Sequence, residues 1–373
     1  GLYGLKYERI KLIMAYTTIN KSTDHFNSVI YTGDGNSTQA ITNTFQPDFS
    51  WIKHRDTTAA HSLQDVLRGY SESKKLCSNT ADAENNASGA TWGDYGGISA
   101  VGSNSFTVYK GSQTPYQSNA SGANYASWNW KAGTTSGLSG GTITPVSYTV
   151  NTTAGFGIYK YYGTGSTGTI AHGLPSAPKM IIIKRRNGGN AWQIYHHIMG
   201  NTKFIEFSSS SQQTGTSRWN DTTPTSSVFT IGNDSDVNGS GSEFIAYAWC
   251  DVPGYCKAGG YIGNGASGAP DADGTFVYTG FKPKFIMVKS YSNSGAWTIW
   301  DNKRAGYNPN SYRIEAHANN AEYQGTAVFC NQLSNGFKLV QGDTDTNGDG
   351  YYYIYLAIGQ SMVGSNNVPC TAR

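Results

Sequence analysis

"FKPKFIMVKSYSNSGAWTIWD", residues 281–301, places a proline before an apolar run, closes the run with a lysine, crosses a polar interval and lands on a tryptophan. The same plan stands at 47–65, "PDFSWIKHRDTTAAHSLQD", and at 178–196, "PKMIIIKRRNGGNAWQIYH". In each copy a lysine follows the proline by six positions: Lys53, Lys184, Lys289. Eight positions later a ring follows an alanine: His61, Trp192, Trp297. Phe285 and Met287 point one way in an extended chain, while Ile286 and Val288 point the other. Both faces are apolar, the pattern of a strand buried on two sides. Proline fits the strand entrance, where its missing N–H costs no ladder bond. The lysine is read as the point where the strand emerges into water, and the polar interval as a connecting loop. The alternating Trp297, Ile299 and Asp301 then form the return strand. The stretch is a core β-hairpin, present three times.

Three further landmarks recur in the same order, the mark of an internal repeat. A Tyr-x-Gly-x-Gly precedes each hairpin (31–35, 161–165, 261–265). A phenylalanine-led strand follows it: "SNSFTVYKG" (103–111), "SSVFTIGND" (226–234), "SNGFKLVQG" (334–342). An aromatic strand ends each copy: "YASWNW" (125–130), "FIAYAW" (244–249), "YIYLAI" (353–358). The expected architecture is all-β, with three tandem antiparallel β-sandwich domains of jelly-roll type. They span 26–133, 148–258 and 259–366, with an N-terminal arm (1–25), a flexible Gly/Ser/Thr linker (134–147) and a C-terminal tail (367–373). The second and third copies follow each other without a spacer and are expected to pack together. A short helical turn is expected within 63–76. Residues 1–13 read as an upstream start before Met14 or as an arm docking on a neighbour.

Composition agrees with this class. Among 373 residues there are 46 glycines and 26 tyrosines, and only 14% are charged; turns and short strands need such residues. A net charge of +3 without long Lys/Arg blocks argues against nucleic acid as a partner. Five cysteines (77, 250, 256, 330, 370) make an odd, irregular set that fits neither a disulfide framework nor a zinc spacing. They read as buried thiols of a chain assembled in a reducing cytoplasm. No apolar run reaches the ~18 residues of a membrane span, and the N-terminal stretch, lacking a sustained apolar run and a small-residue cleavage site, does not read as a secretion signal.

Few constellations suggest chemistry. "DTDTNGDG" (343–350) and "DSDVNG" (234–239) resemble the start of a calcium loop, but position twelve is Ile354 or Ile245 where a bidentate glutamate belongs. Both read as hairpin turns, leaving Asp343, Asp345 and Asn347 as weak metal candidates. The Gly-x-Gly pieces lack the third glycine of a dinucleotide loop and read as positive-φ turns. His196 and His197 point to opposite faces of a strand, and no G-x-S-x-G nucleophile elbow occurs. A non-enzymatic chain without cofactor is expected. Surface aromatics remain: Trp92, Tyr116, Trp219, Tyr307, Tyr312 and Tyr323 lie in polar loop stretches outside the core pattern. Tyrosine among Ser, Gly and Asn is the composition of binding surfaces, and aromatic faces stack on sugars. These six are the glycan-contact candidates.

The ordered array "FQPDFSWIKHRD", "CDVPGYCKAGGYIGNG", "GTFVYTGFKPKFIMVKS", "GAWTIWDNKRAGYN", "LSNGFKLV" and "NNVPCTAR" resembles a family of bacteriophage virion proteins, common in marine and environmental phages and labelled tail-fibre or structural. The resemblance covers about 26–373; the first copy departs most, with His61 in place of tryptophan. It implies a particle-attached, β-rich appendage on the virion surface, outside the host once assembled in its cytoplasm. It also implies partners among other virion proteins, a homo-oligomer (a trimer in many phage fibres), and no catalytic residues. Host adhesion through surface glycans is the expected role; a purely architectural capsid decoration or fibre shaft is the alternative. Residues 1–25, outside the repeats, would then be the particle anchor.

Overall fold

Each lysine-bearing hairpin forms in the computed structural model of the chain, which describes residues 17–71, 73–85, 91–208, 210–268, 272–325 and 330–363. Phe49–His54 pairs with Ser62–Asp65, Met180–Arg185 with Gln193–His196, and Lys282–Ser290 with Thr298–Asp301. The other edge of each lysine strand pairs with the aromatic strand: Asn124–Trp130, Glu243–Trp249 and Tyr352–Gln360. Beyond it runs the strand that carries the tyrosine of Tyr-x-Gly-x-Gly: Phe26–Thr32, Phe156–Tyr162 and Cys256–Ile262. All pairings are antiparallel, and the order tyrosine–aromatic–lysine–return strand recurs in the three large sheets.

A small sheet built on the phenylalanine-led strand covers one face of each large sheet. In the first copy Ile41, Phe106 and Val108 of the small sheet meet Ile52 and Tyr125 of the large one. In the third copy Val277, Phe337 and Leu339 meet Ile286, Val288 and Tyr355. The chain is thus almost all β, in several antiparallel sheets. Among the described residues no helix is long and apolar enough to cross a membrane. Within 63–76 a single turn forms and does not extend into a helix among the described residues: Gly69 N–H donates to the Asp65 carbonyl at 2.9 Å, and Asp65 Oδ1 accepts from the N–H groups of Leu67 and Arg68, both at 3.0 Å.

The opposite faces of the large sheets meet in one shared core, which is why the lysine strands are apolar on both sides. Phe49 stacks 4.5 Å from Tyr247, and Trp130 lies 5.6 Å from Phe285 and 6.2 Å from Trp249. Such aromatic pairs add about 0.5–1.5 kcal/mol each beyond burial.

Hydrogen bonds close the three copies head to tail. Trp192 Nε1–H donates to the carbonyl of Cys77 at 2.9 Å, and Trp297 Nε1–H to that of Glu206 at 2.7 Å. His61 does the same job from the first copy. Its Nδ1 accepts from Trp51 Nε1–H (2.8 Å), so Nε2 carries the proton toward the carbonyls of Glu315 and Ala318, both at 3.0 Å. An imidazole replaces indole because either presents one N–H donor to the neighbouring copy. A second circuit runs through the return strands. Tyr247 donates its hydroxyl to Asp65 Oδ2 (2.7 Å), Trp128 its indole N–H to Asp301 Oδ2 (2.9 Å), and His196 Nε2 meets the carbonyl of Tyr355 (3.2 Å). Each aspartate also holds a buried arginine three residues on, Arg68 or Arg304.

The lysines do not emerge into water. Lys53, Lys184 and Lys289 are 0% exposed. Each sits two residues past Trp51, Ile182 or Met287 and faces the same side, where the following loop curls over it. Lys184 Nζ donates to the carbonyls of Arg185 (2.9 Å), Gly188 (3.3 Å), Asn190 (2.7 Å) and Ala81 (3.0 Å). Lys53 reaches the carbonyl of His54 (2.5 Å), and Lys289 that of Gly295 (2.7 Å). Loop carbonyls turned inward require donors, and the ammonium has three N–H groups to meet them, one shared between two carbonyls at Lys184. Burial lowers the pKa to about 7 for Lys53 and Lys184 and to about 8 for Lys289.

The segment 134–147, read as a flexible linker, lies along the second copy: Thr134 bridges Val150, Gly141 bridges Ile170, and Ile143 is buried. Residues 17–25 dock on the third copy, where Ser22 N–H donates to Gln360 Oε1 (2.6 Å) and Lys284 Nζ donates to Ser22 Oγ (2.7 Å). Residues 1–13, the tail 367–373 and Cys370 lie outside the described residues. Cys77, Cys250, Cys256 and Cys330 are buried free thiols.

Candidate functional site

The Tyr-x-Gly-x-Gly motif builds a clasp rather than a ligand site. Tyr31, Tyr161 and Tyr261 donate their hydroxyls to the carbonyls of Ser118 (2.8 Å), Val237 (2.7 Å) and Thr346 (2.5 Å). The next residue in each case is a fully buried asparagine, Asn119, Asn238 or Asn347, whose amide is bound into the motif. A Cβ at Gly33, Gly163 or Gly263 would fall 2.2 Å from the carbonyl oxygen of Ala120, Gly239 or Gly348, so only glycine permits the approach. The second glycines, Gly35, Gly165 and Gly265, have φ of 76°, 73° and 64°.

The clasp also accounts for the weak metal candidates. Asn347 Oδ1 accepts from Asn264 N–H (3.2 Å), and its Nδ2–H donates to Asn264 Oδ1 (3.0 Å). Asp345 holds the Arg313 guanidinium at 3.0 Å, with Asp343 at 3.9 Å. In the second copy Arg218 is held likewise by Asp234 and Asp236. Burial raises the Asp343 pKa above the usual carboxylate value. These carboxylates neutralise an arginine; among the described residues no group of three His, Cys, Asp or Glu could hold a metal ion.

The six aromatic candidates separate into three places. Trp219 is not on the surface. It is 1% exposed, donates its indole N–H to the Lys203 carbonyl (2.9 Å) and packs edge-on to Tyr195, because the short helix Thr216–Trp219 turns it inward. Trp92 and Tyr116 are half-buried beside a cleft of about 620 Å³ in the first copy, lined by Ser37, Asp94, Ser99, Tyr109 and Lys110. Lys110 Nζ lies 4.8 Å over the Tyr116 ring. Tyr307, Tyr312 and Tyr323 belong to the third copy. Tyr307 is 75% and Tyr323 40% exposed. Tyr312 and Tyr323 stand on paired strands, Tyr312–Glu315 and Tyr323–Gln324, with Arg313 5.0 Å over the Tyr323 ring. The acidic pair that holds Arg313 thus fixes the polar partner of an exposed tyrosine.

One aromatic site escaped the sequence reading. A groove of about 450 Å³ between the second and third copies is lined by Ser211, Gln212, Tyr291, Ser292 and Tyr352. The two tyrosine rings are 6.0 Å apart at 42°, and Tyr352 is 47% exposed. A signal existed: aligning the copies on their lysines sets Tyr291 level with Arg55 and Arg186, a break in an otherwise charged position.

Residues 21–361, spanning all three copies, match the family described as Domain of unknown function (DUF7483), and the chain belongs to that family. No curated protein matches it.

Proposed function

We propose that this DUF7483 chain is a non-enzymatic appendage of a phage particle, tail-fibre-like, that attaches to host-surface carbohydrate. The observation that carries the reading is the placement of exposed tyrosines beside fixed polar groups on a body locked by its shared core. Tyr323 under Arg313 is the example. An aromatic face covers the C–H face of a sugar while neighbouring donors and acceptors take its hydroxyls, with little side-chain entropy lost. Each such contact is weak, and several on one body gain by avidity. In this reading the three copies are tandem jelly-roll-like sandwiches and residues 1–25 anchor the chain to the particle. The protein stands on the virion surface, bound to other virion proteins and to further copies of itself, as a trimer, after assembly in the host cytoplasm. The phage resemblance of the landmark array supports that setting.

A second reading, a purely architectural virion protein, is favoured by one observation. Ile198 of the second copy and Phe276 and Tyr278 of the third line one groove and are 41–52% exposed, where another copy of the chain would cover them. Antibody labelling of phage particles under the electron microscope tests both. Label on tail fibres or spikes supports adhesion, label over the capsid shell supports the architectural role, and unlabelled particles refute the virion assignment.

A further inference from the structure

We infer that the groove between the second and third copies is a carbohydrate subsite, in which Tyr291 and Tyr352 take the face of one neutral pyranose and Gln212 takes a hydroxyl. The inference rests on the attachment reading and gives it a location and a ligand class.

The three seams between copies share a backbone frame. At the first–second seam Glu84 N–H donates to the Arg186 carbonyl (2.7 Å) and Arg186 N–H to that of Glu243 (2.7 Å). At the third–first seam the same bonds join Glu322 to Arg55 (2.7 Å) and Arg55 to Asn124 (2.9 Å). At the second–third seam they join Gln212 to Tyr291 (2.9 Å) and Tyr291 to Tyr352 (3.0 Å). The side chains on this frame differ. Arg186 closes its seam with ion pairs to Glu84 (2.5 Å) and Glu243 (2.9 Å), and Arg55 closes its own with one to Glu322 (2.7 Å). At the remaining seam both members of the pair are exchanged, arginine for Tyr291 and glutamate for Gln212, and the aromatic-strand position that holds Glu243 or Asn124 in the other seams holds Tyr352. The plug is gone and an open groove stands in its place.

What lines the groove fits a sugar. Two tyrosine rings 6.0 Å apart form an apolar platform, and Tyr352 is 47% exposed. Gln212 lines the groove, and its Oε1 is buried without a hydrogen-bond partner among the described residues, so turning the amide toward the groove breaks no bond at that oxygen and offers a sugar hydroxyl an acceptor. Ser211 and Ser292 add hydroxyls; Ser292 Oγ already holds the Tyr352 N–H at 2.9 Å and so steadies the platform. Among the described residues no charged side chain lines the groove, which selects a neutral ligand over an acidic one. Its volume, about 450 Å³, lies within the roughly 300–1,000 Å³ of small-ligand sites.

The experiment uses the full purified chain on an array of neutral and acidic glycans, with affinities for the bound glycans measured by calorimetry. Three proteins are compared with wild type: Tyr352→Ala, the double variant Tyr291→Arg with Gln212→Glu, and Tyr323→Ala. The double variant rebuilds the ion pair of the other two seams, so it fills the groove while preserving the fold. The expected result is a neutral glycan bound by wild type and by Tyr323→Ala, tenfold or more weaker for Tyr352→Ala, and lost in the double variant with an unchanged or raised Tm. Binding that survives both groove changes but disappears in Tyr323→Ala overturns this site and leaves the attachment reading standing. Binding of acidic glycans alone overturns the ligand class, and no glycan binding by wild type overturns both.

Discussion

Replacing Asp301 by asparagine tests whether the copies form one cooperative body. The Asp301 and Arg304 side chains are 1% and 0% exposed. Oδ1 accepts from the N–H groups of Lys303 (2.8 Å) and Arg304 (3.0 Å). Oδ2 accepts from Arg304 Nε–H (2.6 Å) and, across the seam, from Trp128 Nε1–H (2.9 Å). Burial alone would raise the Asp301 pKa, but the Arg304 guanidinium and these bonds bring it below the usual carboxylate value. In Asp301→Asn an amide NH₂ must face either the two backbone donors or the guanidinium and indole donors, so one pair is always unsatisfied. Breaking a buried ion pair costs about 3–5 kcal/mol. Arg304 keeps Glu322 (2.8 Å) and the Ile299 carbonyl (2.8 Å), which places the expected loss near the lower end, about 3 kcal/mol. Urea unfolding followed by tryptophan fluorescence and circular dichroism reads the effect. Because the contact joins the third copy to the first, the entire transition should move to lower urea as one step. Asp273→Asn, at an exposed carboxylate beside Lys338, should leave the midpoint unchanged. A loss under about 1 kcal/mol, or two transitions of which one keeps the wild-type midpoint, would refute the shared-core reasoning.

Acid should destabilise the protein earlier than its carboxylates alone would. Burial holds His61 and His196 at a pKa of about 3, below the unfolded 6.5, so the unfolded chain binds more protons between those values. Their contribution is complete above pH 6.5 and is lost as pH falls toward 3, at about 1.4 kcal/mol per pH unit for each; a Tm that stays flat between pH 6.5 and 5 would contradict it. Gly163→Ala should cost well over the ~1 kcal/mol of Gly241→Ala. The first drives a Cβ to 2.2 Å from a backbone oxygen, whereas the second strains φ alone, at 67° with nothing within 4 Å. Equal denaturation midpoints for the two would argue against the clasp. Lys184→Met should speed amide exchange across residues 186–191 and lower stability by about 1–3 kcal/mol, since the carbonyls of Gly188 and Asn190 lose their donor; unchanged exchange there would show that the loop holds itself. Millimolar calcium should leave Tm unmoved, because Arg313 occupies Asp345; a saturable rise would restore the cation site.

The landmarks that were legible in the sequence are those whose signal is local. Alternation of Phe285, Ile286, Met287 and Val288, proline at the strand entrance, and glycines at 35, 165 and 265 report strands and turns without reference to anything distant. Trp219 misled because a tryptophan in a polar stretch carries no mark of which way its short helix turns. The lysines misled for a similar reason: a lysine at a strand end is compatible with water or with a cage of loop carbonyls, and the choice depends on the loop path.

The sequence by itself determined that the chain is all-β and that one hairpin recurs three times, because side-chain period and turn chemistry act over a few residues. The tertiary structure alone decided that the three copies share one core and close head to tail. The acceptors that close them are mostly backbone carbonyls, such as those of Cys77, Glu206 and Glu315, which every residue carries and no residue type announces. It also decided where the seams stay open: Tyr291, just past the lysine strand, and Tyr352, at the start of the aromatic strand, stand far apart in the sequence and become a platform only where the matching ion pair of the other seams is missing.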